Sequence, residues 1–222
     1  MARQVSTNRS WLPKEEIEHR ALALLRAYEA RFGKVNEPPI PIDHLVEGYL
    51  GLGISWEEIP EPDGAVILAY IDPAASTIRM NASHREHYER YFGTEAYSLA
   101  HEAGHWELHT VEGPGAQLQL PGAAGCERFI CRSMPAGKPK DRLEWQADRF
   151  AAALLMPEAM LHAQLQQLAA YSWHEFDALS HLFRVTHKAL RIRLEDLGLP
   201  HYSSGGTFLP GRGLRARQAT LL

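Results

Sequence analysis

The sequence predicts an α+β fold, a small three-stranded antiparallel sheet packed on a mainly helical core, with a C-terminal helical pair. Three observations carry that prediction. Apolar residues recur at helical spacing in several separate stretches, three short β-rich segments follow one another between residues 54 and 81, and turn residues punctuate the intervals. The chain of 222 residues is 45% hydrophobic and 23% charged, ordinary values for a globular protein, so collagen-like, disordered and coiled-coil readings drop out. Its length suits one compact domain, or one with a small appendage.

The first helix runs from Pro13 to Phe32. Ile17, Ala21, Leu24, Leu25 and Tyr28 form its apolar stripe, and Gly33 stops it. After a Pro-rich stretch, Asp43 is placed to cap a short helix through Tyr49. Strands are predicted near Ile54–Ile59, Ala65–Ile71 and Thr77–Asn81, the last two joined by a turn over residues 72–76. Thr94 is the expected N-cap of a helix reaching His109, and the Gly- and Pro-rich stretch from Gly113 to Gly137 reads as a loop. A second strong helix spans Asp141–Met156, and Pro157 starts another through Ala170. Ser172 with Glu175 makes a capping box, and Thr186 opens a last helix that Gly198 closes. These signals divide the chain into an extension over 1–12, one domain over 13–200 with its helical C-terminal part at 158–200, and a flexible tail over 201–222.

Composition also excludes classes. A formal net charge of -4 argues against coating nucleic acid by bulk charge. The longest apolar run, Phe150–Met156, is far short of a membrane span, and the N-terminus shows no apolar secretory stretch. Cys126 and Cys131 are too few for a disulfide framework and read as free thiols. A cytoplasmic protein is expected.

Of the 12 histidines, His84, His87, His101, His105 and His109 crowd into one short region. His101-Glu102-Ala103-Gly104-His105 matches H-E-x-x-H. On a helix, positions i and i+4 share a face, so both imidazoles can reach one zinc ion while Glu102 stands beside them to take a proton from an activated water. This composition yields roughly 0.06 accidental matches, so a third ligand is needed as an independent test. Glu144, in Glu144-Trp145-Gln146-Ala147-Asp148, supplies one, although Glu three residues after Asp141 also suits a helix start. Asp148, one turn on, is placed to accept a hydrogen bond from the far nitrogen of a ligand histidine.

The chain resembles the ImmA/IrrE-type zinc metallopeptidases. The likeness rests on the nine residues Ser98–Trp106 around the H-E-x-x-H motif and on Glu144–Pro157, with its Glu-Trp-Gln-Ala-Asp start and Leu154-Leu155-Met156-Pro157 ending. It continues through Leu179–Leu199 with the Phe183-Arg184-Val185-Thr186 turn. With the Pro41–Asn81 region it covers about Ile17–Leu199. The resemblance implies a gluzincin-like core over 13–157, zinc on His101, His105 and Glu144, and Glu102 as general base. It further implies that the substrate is a transcriptional repressor, encoded nearby in a mobile element or stress-response locus. Ala103 departs from the bulky residue common after the glutamate, and no N-terminal helix-turn-helix is fused here, so the repressor is expected as a separate DNA-binding chain.

Rival readings follow from the same residues. A two-His, one-carboxylate set also suits Mn2+ or Fe2+. The chain could hold a repressor without cutting it, as a regulatory binding protein or a toxin-antitoxin component. His109 continues the i+4 series, either as a further ligand or behind the ligands. His84, His87, Tyr88, Tyr91 and Tyr97 are candidates to line the cleft. Lys188, Arg191 and Arg193 could face phosphates, but Glu195 and Asp196 follow at once, so DNA contact is disfavoured. An extended substrate is expected to add to an edge strand near Thr77–Asn81.

Overall fold

The computed structural model describes residues 3–5, 11–61, 66–112, 129–133, 142–168 and 172–211. In chain order these form β1 (Arg3–Val5), α1 (Lys14–Phe32), α2 (Ile42–His44) with a π-helical continuation over Leu45–Tyr49, β2 (Gly53–Glu57), β3 (Val66–Asp72) and β4 (Thr77–Asn81). Then come α3 (Arg85–Arg90), α4 (Thr94–His109), β5 (Thr110–Glu112), β6 (Phe129–Ser133), α5 (Arg142–Leu155) and α6 (Glu158–Gln167). The described chain closes with α7 (Trp173–Phe183), α8 (His187–Asp196), β7 (His201–Tyr202) and β8 (Phe208–Leu209). The fold is mostly helical, and no described helix is long and apolar enough to cross a membrane.

The three expected strands are present, but their sheet is mixed and has a fourth member. Its order is β2-β4-β3-β6; β2 runs parallel to β4, and β3 is antiparallel to both β4 and β6. The antiparallel expectation fails because β2 skips β3 and adds to the far side of β4. Asn81, fully buried at the end of β4, holds that crossing. Its amide oxygen accepts from the Ile59 N–H at 3.2 Å and its amide nitrogen donates to the Ile67 carbonyl at 2.8 Å, so the segment leaving β2 and the start of β3 share one polar anchor. Arg79 of β4 reinforces the pairing through a 2.6 Å ion pair with Glu57 of β2. β4 is therefore interior, and the expectation of substrate adding at Thr77–Asn81 is corrected: among the described residues, β2 and β6 are the edges.

β6 falls inside the stretch read as a loop, and pairs with β3 from Val66↔Ser133 to Ile71↔Phe129. Its five residues are bracketed by glycine and proline, which hid the strand signal. Cys131 lies on β6, whereas Cys126 and residues 212–222 of the expected tail lie outside the described residues. The start of that tail is a hairpin, with His201↔Leu209 and Tyr202↔Phe208 paired. Asp43 sits in the first turn of α2, with Pro41 preceding the helix, so it is not the cap. At α4 the N-cap is Gly93, not Thr94. Its φ of 81° and a Cβ that would lie 2.6 Å from the Val185 backbone both demand glycine.

The expected stripe of α1 is buried as predicted and packs on α5, which in turn packs along α4. Gly104 sets that last approach: a Cβ there would stand 3.1 Å from the Ala147 carbonyl oxygen and 3.2 Å from the Phe150 Cβ. The capping box at Ser172 forms, and the Thr186 hydroxyl accepts from the Ala189 N–H at 3.1 Å. The α7–α8 pair is fastened by Arg193, which is 2% exposed. Its guanidinium donates to the Met156 carbonyl at 3.0 Å and grips the Glu18 carboxylate of α1 with both terminal nitrogens. Arg193 is thus unavailable to phosphate, and Arg191 pairs with Glu195 at 3.1 Å.

Candidate metal centre

The site lies where α4 and α5 come closest. His101 and His105 stand one turn apart on the buried face of α4, and Glu144 opens α5 opposite them. His101 Nε2 and His105 Nε2 are 3.0 Å apart, Glu144 Oε2 is 3.3 Å from the first and Oε1 is 3.2 Å from the second. These are three donors aimed at one point. Bonds of about 2.0–2.1 Å to a tetrahedral ion would set neighbouring ligand atoms roughly 3.3–3.4 Å apart, close to the spacing present. The residues fit a divalent ion in both spacing and donor type, and His101, His105 and Glu144 form a cluster that can hold a metal.

The electrostatics favour the binding-ready forms. Burial pushes His105 below the ordinary histidine range, so its ring is neutral and offers a lone pair. Burial would raise Glu144, but its side-chain hydrogen bonds with His101 and His105 outweigh it and hold the carboxyl ionised, well below the usual range. His109 is pushed down to about 3, first by burial and then by the adjacent His105.

Behind each histidine stands a partner. His101 Nδ1 donates to Asp148 Oδ1 at 3.0 Å, and the Tyr97 hydroxyl donates to the carboxylate and carbonyl of Asp148 at 3.4 and 3.3 Å. His105 Nδ1 meets His109 Nδ1 at 3.0 Å, and Gln146 of α5 is buried beside this pair's helix. Glu102, next to His101, has no exposed surface.

The structure thus brings His101, His105, Glu144 and Asp148 together, and places His109 behind a ligand. Of the cleft candidates, only Tyr97 reaches this network. His84 pairs with Glu61 at 2.6 Å, Tyr88 donates to the Leu68 carbonyl at 2.6 Å, and His87 rests on the exposed ring of Tyr91.

Fold and site together define a helical domain with a small mixed sheet and a two-histidine, one-glutamate centre between its two best-packed helices. The chain belongs to the peptidase M78 family, the IrrE N-terminal-like domain, whose pattern matches residues 70–195 and takes in α4, α5 and the C-terminal helical pair. No curated protein matches at a significant level. A solved structure, a Mycobacterium tuberculosis transcriptional regulator, is similar over 89% of this chain at 15% identity and a TM-score of 0.48; the match spans 59% of that regulator's length.

Proposed function

We propose that this protein is a zinc-dependent metallo-endopeptidase that cuts a separate, DNA-binding repressor in the cytoplasm. The observation that carries the reading is the convergence of His101, His105 and Glu144 on one point, with the fully buried Glu102 adjacent. Membership of a peptidase family supports it.

When bound, zinc would polarise the scissile carbonyl and acidify a water. The chain's own residues do the rest. Glu102 takes the proton of the attacking water and returns it to the departing amine nitrogen. Glu144 and the two histidines keep their donor atoms deprotonated and convergent, and Asp148 holds the proton of His101 on Nδ1, so that the Nε2 lone pair faces Glu144 and His105. An extended substrate would add to the sheet edge at β6, the edge that lies against α4.

The test is incubation of the protein with the repressor encoded next to it, with and without chelator. One discrete, zinc-dependent cut is expected. If no cleavage follows with zinc, manganese or iron, the peptidase reading falls and a binding role takes its place.

A further inference from the structure

His105 is fully buried, and both of its ring nitrogens are engaged. Nε2 faces Glu144 Oε1 at 3.2 Å and His101 Nε2 at 3.0 Å, while Nδ1 faces His109 Nδ1 at 3.0 Å. A neutral imidazole carries one proton, so one of its nitrogens donates and the other accepts. For His105 to present its Nε2 lone pair to a metal, its proton must sit on Nδ1, and His109 Nδ1 must accept it. That in turn puts the His109 proton on Nε2. The opposite arrangement, with His109 donating, would protonate the ligand nitrogen and close the site.

We propose that His109 is a positioning residue that fixes the tautomer and ring plane of His105 for metal binding. The inference rests on the metal-centre reading above. It is a departure from the other arm of the site, where His101 is backed by the carboxylate of Asp148. Behind ligand histidines the usual partners are carboxylates, backbone carbonyls or water. Here the helix supplies its own partner: residues 101, 105 and 109 step up one face of α4, and the spacing that lets two rings share an ion lets the third brace the second.

The test compares zinc dissociation constants, by competition with a chromophoric chelator, for wild type, H109L and H109N. Leucine fills the space without an acceptor, whereas the asparagine oxygen can stand where Nδ1 stood. H109L is expected to weaken zinc binding by about 10- to 100-fold and H109N by no more than about threefold. Equal weakening in both variants, or none in H109L, overturns the proposal. Long-range proton–nitrogen NMR of the histidine rings in zinc-loaded wild type reads the tautomers with no substitution at all. A proton on Nδ1 of His105 and on Nε2 of His109 is expected, and a proton on Nδ1 of His109 overturns the proposal even if H109L fails to fold. Failure of wild type to bind zinc would instead defeat the metal-centre reading itself.

Discussion

Two buried polar clusters flank α5, and they are built on opposite principles. At its C-terminal end, Arg193 gives its guanidinium to the Glu18 carboxylate and the Met156 carbonyl, so donors meet acceptors and the charges cancel within the protein. At its N-terminal end, His101, His105 and Glu144 aim three electron-rich atoms at one another. The first cluster is complete as it stands and joins α8 to α1. The second has room for a cation among its donor atoms, and this difference separates a structural ionic group from a candidate binding site better than burial or charge does.

The comparison is broken most sharply by a change that leaves both clusters intact. Glu102→Gln should lower kcat/KM on a cleaved repressor by about 10²- to 10⁴-fold, the range for losing a general base, while zinc binds as before. Steady-state cleavage beside a chelator competition measures both. Retention of full activity would remove Glu102 from the mechanism.

Next in size is Arg193→Met, which leaves Glu18 without its partner. Breaking a buried pair from one side costs about 3 kcal/mol, a fall in Tm of roughly 6–12 °C for a domain of this size. Zinc affinity should not change. Adding Glu18→Leu should restore much of the lost stability, because an apolar pair of similar volume fills the site without a desolvated charge. If R193M also lost zinc, the two ends of α5 would be coupled and the contrast between them would fail.

Acid separates the clusters by a third route. His109 is neutral when folded and titrates at about 3, but near 6.5 when unfolded. A lowered folded value means the contribution is complete above about pH 6.5 and is lost as the pH falls from there toward 3. Between pH 7 and 5 the metal-free protein should lose about 2 kcal/mol through this residue. Urea unfolding of wild type against H109N at the two pH values isolates the effect. Equal losses in the two proteins would assign the acid sensitivity elsewhere.

What could be read ahead of the structure was whatever is local. The spacing of His101 and His105 is set by one helical turn, and the stripe of α1 by its own periodicity. Glu144 was legible as a carboxylate placed early on the next strong helix. Sheet order was not, because the choice of β4 over β3 as the neighbour of β2 depends on Asn81 reaching back to Ile59 and Ile67, contacts that no period or cap reveals. The short helix α3 was missed for a related reason. Among Arg85–Arg90 only Tyr88 is buried, so there is no stripe to detect. The approach of Glu144 and Asp148 to His101 and His105 appears only once Gly104 has let α4 and α5 close together.

The smallest expected effects lie along the arm behind His101, and their ranking matters more than their size. Asp148→Asn keeps the shape but removes the charge that holds the His101 proton on Nδ1, so zinc affinity should fall about tenfold. Tyr97→Phe removes only a donor whose bonds to Asp148, at 3.3 and 3.4 Å, are already long, so the fall should be about twofold. Competition with a chromophoric chelator resolves both. If Y97F proved as damaging as D148N, the hydroxyl would be acting on the metal or the substrate directly, and the arm would have to be redrawn with Tyr97 at its inner end.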